Sequence, residues 1–428
     1  MNKTPSSERI HITLYGIRNA GKSALINALA GRTISIVADH PGTTTDPVSK
    51  AMEFGSLGPV VLTDTAGFDD EGEVGTLRVR QTLEKLSWSD IVVFVTPVDR
   101  PPTAQEKNAF KELKQSKASV LIAANRADLP HNPEKLIWLQ QHRELQTAEN
   151  IKATPGIVFT STLTGIGIEE LKKTIAALGE QSKFHEMSPL EGLVKEGDTV
   201  LLVTPIDSAA PKGRLILPQV EVLRDALDKG CIAMCVRETE LAKTLSVLKQ
   251  PPALVITDSQ AFAIVAKILP QDQPLTSFSI LFARKKGELS QYAAGLSALK
   301  QLSARKKQNI QLLALEACTH NRTHEDIATV KIPALLAQKT GSAVKVTALR
   351  EVLDKAPVHE GEPGFDLAVV CGGCMATRKK MLVQLKALEE ANIPAINFGL
   401  FLSWAHGVFP RALQPLGDSA VNAVNGLL

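Results

Sequence analysis

Gly16-Ile17-Arg18-Asn19-Ala20-Gly21-Lys22-Ser23 has the G-x4-G-K-S spacing of a phosphate-binding loop, set between the apolar run HITLYG and the helical pattern SALINALAG. Its glycines let backbone N–H groups curl around phosphate oxygens, and the N-terminus of the following helix adds partial positive charge. Lys22 supplies a point charge to the β- and γ-phosphates and Ser23 a hydroxyl for magnesium, while Asn19, Ala20 and Ala24 belong to the same loop and first turn. Asp64-Thr65-Ala66-Gly67 ends another apolar run, with Asp64 placed for the magnesium shell and Gly67 for an N–H to the γ-phosphate. Asn125-Arg126-Ala127-Asp128 ends a third and fits the guanine-reading N-K-x-D element, with arginine in the lysine position. The Asp128 carboxylate would accept two charge-assisted hydrogen bonds from the base. Ser161-Thr162-Leu163 falls where a last base-contacting loop belongs, and Thr44, in Pro41-Gly-Thr-Thr-Thr-Asp46, is expected to sense the γ-phosphate, with Thr43 and Thr45 as close rivals. Order and spacing together predict a site for GTP and magnesium, with Lys22, Thr44, Asp64 and Gly67 as its catalytic members.

A second constellation is made of thiols. Cys318-Thr319-His320 follows the run NIQLLALEA directly, and Cys371-Gly372-Gly373-Cys374 follows FDLAVV directly. Both are expected at the C-terminal ends of strands, the edge where open α/β sheets bind ligands. If those strands are neighbours, three thiolates converge on one crevice. Two glycines let the backbone curve so that both flanking sulfurs face one centre, with Cys374 opening the helix MATRKKMLVQLKAL. Three chemistries compete for this pattern. Three thiolates and a variable ligand suit a 4Fe–4S cluster, a structural zinc ordinarily takes four Cys or His ligands, and a C-x2-C can also be a redox pair or inert thiols. Cys231 and Cys235, four apart in the strand-like CIAMCVRE, are expected to share a face and pack as small hydrophobes.

The elements that must position these residues follow from the alternation of apolar runs and helical stretches. HITLYG, PVVLTDTAG, DIVVFVTPV, SVLIAANRAD and GIVFTST predict a doubly wound, mainly parallel sheet over 1–178, ending in the helix GIEELKKTIAALG and the polar linker EQSKFHEMSPLEG. A second α/β domain is expected over 190–270, with TVLLVTPID, CIAMCVRE and ALVITDS as strands. LPQDQPLT reads as a boundary, and a third domain over 276–428 takes FSILFAR, NIQLLALEA, FDLAVV and IPAINFG as strands. The predicted fold class is therefore α/β, a P-loop GTPase sheet followed by two smaller, mainly parallel sheets. The recurring βα rhythm reads as generic α/β construction.

Composition narrows the function classes. A chain of 428 residues with 44% apolar and 22% charged residues has the balance of a globular protein of several domains. The net charge of +3 gives no reason to expect a nucleic-acid partner. No apolar run is long enough for a membrane span and MNKTPSSERI carries no secretory pattern, so the expected address is the cytoplasm. Five cysteines in such a chain are expected as thiols or metal ligands.

Two resemblances sharpen these expectations. Asn19, the PGTTTD loop and Phe68 after DTAG resemble the tRNA-modification (TrmE-like) branch of GTPases. That branch places a hydrophobic residue where others have a water-orienting glutamine, and its P-loop asparagine helps hold potassium; the resemblance implies the same of Asn19. Over nearly the whole length, GIRNAGKSALINAL, PGTTTDPV, DTAGFDDEGEVGTLRV, APKGRLILPQV, EACTH, VKIP and CGGCM resemble the diiron (FeFe) hydrogenase maturation GTPase family, HydF. The resemblance implies a 4Fe–4S cluster on Cys318, Cys371 and Cys374, with Glu325 or His320 as fourth ligand. The family's signature has a histidine before its last C-x-x-C, where this chain has Val370. Further implications are a homodimer, a transient diiron subcluster as cargo, and radical-SAM maturases and apo-hydrogenase as partners. The alternative is a TrmE- or Era-like GTPase of tRNA modification or ribosome assembly.

Overall fold

The computed structural model describes residues 5–31, 48–65, 86, 88–115, 118–142, 156–183, 187–206, 215–305, 309–316, 326–350 and 364–417. The chain divides into two compact units, Met1–Glu186 and Met187–Leu428.

In the first unit, β1 (Ile10–Tyr15), α1 (Lys22–Ala30), β2 (Val48–Glu53), β3 (Pro59–Asp64), β4 (Ile91–Pro97), α2 (Ala104–Gln115), β5 (Ser119–Asn125), α3 (Pro133–Gln140), β6 (Ile157–Thr160) and α4 (Ile168–Lys183) follow in order. The sheet runs β2-β3-β1-β4-β5-β6, parallel throughout except for the edge strand β2. Strand β4 is buried along its length because both faces are covered. Its alternate residues feed two cores, Ile91, Val93 and Val95 into one and Val92 and Phe94 into the other. The expected doubly wound sheet is thus observed, although α4 continues through the segment read as the start of a linker. The parallel strands β1, β3, β5 and β6 share one orientation, so the loop after β1 and the residues Asp64, Asn125 and Ser161 gather at one edge.

The second unit contains β7 (Thr199–Val203), α5 (Leu217–Asp228), β8 (Ile232–Val236), α6 (Leu241–Val247), β9 (Leu254–Thr257), α7 (Phe262–Ile268), β10 (Leu275–Ser277), α8 (Phe278–Lys286) and α9 (Ala293–Arg305). It continues with β11 (Asn309–Leu315), α10 (Ile332–Thr340), β12 (Ala343–Leu349), β13 (Leu367–Val370), α11 (Arg378–Glu390), β14 (Ala395–Asn397), α12 (Phe398–Ala405) and α13 (Phe409–Leu413). Two four-stranded parallel sheets result, β10-β9-β7-β8 and β12-β11-β13-β14. Numbered within each sheet, both have the order 2-1-3-4, so the βα rhythm repeats a topology as well as a composition. One continuous core runs through both sheets.

Several expectations change here. FSILFAR is helix α8, with Ser277 Oγ capping Ile280 N–H, and it is buried on most of its surface, with Phe278, Ile280, Leu281, Phe282 and Ala283 all in the core. The boundary read at LPQDQPLT contains the start of β10, a strand of the second sheet. Cys374 does not open a helix: it lies in a turn, and α11 starts at Arg378 behind the Thr377 cap. Cys231 is buried just before β8, but Cys235 is exposed, because β8 is an edge strand. The edge strands β2 and β12 were not anticipated from the sequence.

Candidate nucleotide site and cysteine edge

The phosphate-binding loop is built by close approach. Gly21 has φ of 97°, and a Cβ on it would stand 2.2 Å from Asn125 Nδ2. That amide donates to Ala20 O at 2.9 Å, while Thr160 Oγ1 donates to Asn125 Oδ1 at 3.4 Å, so the base-reading segments and the loop are bonded together. Lys22 is buried, with Nζ donating to Gly16 O at 2.8 Å and Ile17 O at 2.9 Å. Ser23 Oγ donates to Asp64 Oδ2 at 2.5 Å. The other carboxylate oxygen, Oδ1, is buried without a hydrogen-bond partner among the described residues. Burial holds the Asp64 carboxyl above its ordinary value, against the pull of the Ser23 hydroxyl and the Lys22 ammonium. A hydroxyl and an orphaned carboxylate oxygen at a helix N-terminus are a donor set that fits magnesium. Around them lies a pocket of about 290 Å³ lined by Arg18, Asn19, Gly21, Lys22, Ser23, Ala24, Asp64 and Thr65.

Arg126 has a larger part than its sequence position suggested. Its Nη2 donates to Asn19 O at 2.9 Å and its Nη1 pairs with Asp99 Oδ2 at 3.2 Å. Both Arg126 and Asn19 have left-handed backbone, with φ of 63° and 59°. Asp128 is exposed, Ser161 buried and Thr162 half-buried, and Ala127 N–H donates to Thr160 O at 2.9 Å, joining the two base loops. Thr44, Gly67 and Phe68 lie outside the described residues.

Beneath α2 and α3 sits an array that the sequence did not reveal. Lys135 and Glu106 are both fully buried, with Nζ 3.0 Å from each Glu106 oxygen and 2.9 Å from Thr96 Oγ1. Burial lowers the Lys135 ammonium below its ordinary value, and Glu106 pulls it back up. These residues lie 29 apart in the chain, so no local pattern marks them.

At the carboxyl edge of the last sheet, Cys371 follows β13 directly and its N–H donates to Leu315 O at 3.0 Å, on the neighbouring strand β11. Gly373 has φ of 65°, and a Cβ there would stand 2.6 Å from Met381 Sδ, so the turn requires glycine. Ala376 N–H donates to Gly373 O at 2.9 Å and closes the turn. Both Cys371 and Cys374 are half-buried. Cys318, His320 and Glu325 lie outside the described residues, although Cys318 follows the end of β11 by three positions. Val370 is fully buried in its strand. Two thiols flanking a tight turn are soft donors suited to a metal centre, although among the described residues no three metal-ligating side chains stand together. No helix among the described residues is long and apolar enough to cross a membrane.

Comparison with known proteins adds three family matches. Residues 190–287 match the Hydrogen maturase F dimerization domain, 290–415 the Hydrogen maturase F tetramerization domain, and 11–126 the 50S ribosome-binding GTPase family. The tRNA modification GTPase MnmE of Granulibacter bethesdensis is 32% identical over 171 residues, 40% of this chain and 34% of the relative. MnmE of Chlorobium phaeovibrioides is 31% identical over 251 residues, 56% of this chain and 50% of the relative. The chain thus spans between a third and a half of the length of these two relatives. Among solved structures, the G domain of the T. maritima FeoB iron transporter matches with 26% identity and a TM-score of 0.30, covering 40% of this chain and 99% of that one.

Proposed function

The chain belongs to the hydrogen maturase F family, whose dimerization and tetramerization domains together match just over half of it, and on that premise we propose that it couples GTP hydrolysis to the carriage of an iron–sulfur cargo. The observation that carries the proposal is the pairing of two edges in one chain, a P-loop site in the first unit and a Cys-Gly-Gly-Cys turn in the second.

At the nucleotide site, the loop N–H groups and Lys22 hold the phosphates, and Asp128 with Ser161 and Thr162 reads guanine. Ser23 and Asp64 would hold magnesium, which when bound supplies neutralising charge at the β- and γ-phosphates. Thr44 and Gly67 are assigned to the γ-phosphate. Asn19 would help hold potassium, as the resemblance to TrmE-like GTPases implies, and Phe68 has no group to orient water. The Arg126 bond to Asn19 O fixes the backbone of that residue. Binding, alignment and charge placement are what these residues contribute, and phosphoryl transfer needs little more.

In the second unit, Cys318, Cys371 and Cys374 would hold a 4Fe–4S cluster, which when bound supplies an iron open to exchange. Glu325 is the favoured fourth ligand, with His320 the rival. Thiolates at a strand edge place such a group at a crevice mouth, within reach of a second protein. The cargo is a diiron subcluster, received from radical-SAM maturases and passed to apo-hydrogenase by a dimeric carrier in the cytoplasm. Of the three expected domains, the second would run past 270 to take in β10, which pairs with its sheet, and α8, both within the dimerization match. What the MnmE relatives' name says of tRNA is not carried over, because that likeness to the Granulibacter protein covers 40% of this chain.

Anaerobic reconstitution followed by iron and sulfide analysis tests the proposal. Four irons and four sulfides per chain are expected from a 4Fe–4S stoichiometry of roughly that size, falling sharply in Cys371→Ser. Zinc in place of iron, with no labile sulfide, would reject the cluster.

A further inference from the structure

Helix α8 is matched by the dimerization domain, yet it is bonded at both ends to residues within the tetramerization-domain match, which also carries Cys371 and Cys374. At its start, Ser279 Oγ donates to Asn397 Oδ1 at 3.1 Å and accepts from Gly399 N–H at 3.2 Å. Asn397 is fully buried at the end of β14, and its Nδ2 donates at 3.4 Å to Val370 O, the last carbonyl before Cys371. The backbone of Gly372 lies against the same helical turn: a Cβ on it would touch Ser279 Oγ at 3.5 Å and Phe282 Cβ at 3.6 Å. At the other end, Arg378, four residues beyond Cys374, donates from Nη1 to Lys285 O at 2.8 Å and to Gly287 O at 3.2 Å. The Lys285 side chain in turn pairs with Glu221 on α5, a helix of the dimerization sheet.

We propose that Ser279 and Arg378 are positioning residues for the Cys371–Cys374 turn, fixing α8 against it so that the two sulfurs keep the spacing a cluster requires. The inference rests on the reading that this turn holds a cluster. Its physical basis is that hydrogen bonds in a partly buried, low-dielectric setting are directional, and that packed interiors take discrete arrangements. A turn held on one side by Asn397 and on the other by Arg378 cannot relax when either is loosened without moving a sulfur. Through Lys285 and Glu221 the same helix connects the turn to helix α5, within the stretch that the dimerization domain matches.

The test compares the anaerobically reconstituted full-length chain with Ser279→Ala, Arg378→Gln and the conservative Arg378→Lys. Circular dichroism, iron per chain, cluster EPR and the rate of iron loss to a chelator are read for each. Ser279→Ala and Arg378→Gln are expected to keep the wild-type far-UV spectrum but to show an altered EPR line shape and iron loss on the order of tenfold faster. Arg378→Lys should lie between them and wild type. Variants that melt lower while keeping the wild-type EPR spectrum and iron-loss rate mark a purely structural role and overturn the proposal. Should Ser279→Ala fail to fold, the two Arg378 variants decide it alone. A wild-type chain that binds no iron would instead overturn the cluster reading, and the inference with it.

Discussion

Arg126 donates from Nη2 to the backbone carbonyl of Asn19 at 2.9 Å, tying the base-reading segment to the phosphate-binding loop. The arginine that departs from the usual lysine also pairs with Asp99, whose side chain is largely shielded from solvent. A charge-assisted bond to the loop should therefore be lost in Arg126→Ala, lowering GTP affinity roughly tenfold, or ~1.4 kcal/mol. Arg126→Lys should recover most of it. Nucleotide titration by fluorescence measures both, and an unchanged affinity in Arg126→Ala would show that the bond is incidental.

Guanine selection is assigned to Asp128. Replacing its carboxylate by the amide of Asp128→Asn turns one charge-assisted acceptor into a donor and strips the charge from the other, a loss of about 1.5–3 kcal/mol for the first. GTP affinity should fall and xanthosine triphosphate should become the better ligand. Retained preference for GTP would place the base elsewhere.

Turnover should be slow and faster in potassium than in sodium. Phe68 offers nothing to orient water, and Asn19 is the residue assigned to the cation. GTPase rates in matched KCl and NaCl give the comparison directly. Equal rates would remove the cation site while leaving nucleotide binding intact.

The buried pair Lys135–Glu106 should matter for stability. Removing one member leaves the other charged and out of water, which costs about 3–5 kcal/mol. Glu106→Ala should therefore lower the melting temperature of the first unit clearly. Lys135→Met together with Glu106→Leu should restore much of the loss. A single substitution with no effect on melting would mean that the pair is solvated in solution.

How far the sequence could be read depended on how local the signal was. The loop from Gly16 to Ser23 and the strand-end residues Asp64, Asn125 and Cys371 were legible because each couples a fixed spacing to an apolar run that must be a strand. FSILFAR misled because a short segment buried on most of its surface has no period to separate helix from strand. The spacing of Cys231 and Cys235 does not place both inward, because Cys231 precedes β8 and Cys235 lies exposed on that edge strand. Strands β2 and β12 were missed for a related reason: polar residues such as Lys50 and Lys345 interrupt both runs. The bonds of Arg126 to Asn19 and of Ser279 to Asn397 join residues more than a hundred positions apart, beyond the reach of any motif.

If one chain carries two separable chemistries, paired measurement of GTP turnover and iron content on two variants will show each lost without the other. Lys22→Ala is expected to abolish turnover, because the β- and γ-phosphates lose their point charge, while iron per chain stays at the wild-type level. Cys371→Ser is expected to lose most of its iron while hydrolysing GTP at the wild-type rate. Folded Lys22→Ala protein that has lost its iron, or folded Cys371→Ser protein that has lost its turnover, would contradict the account.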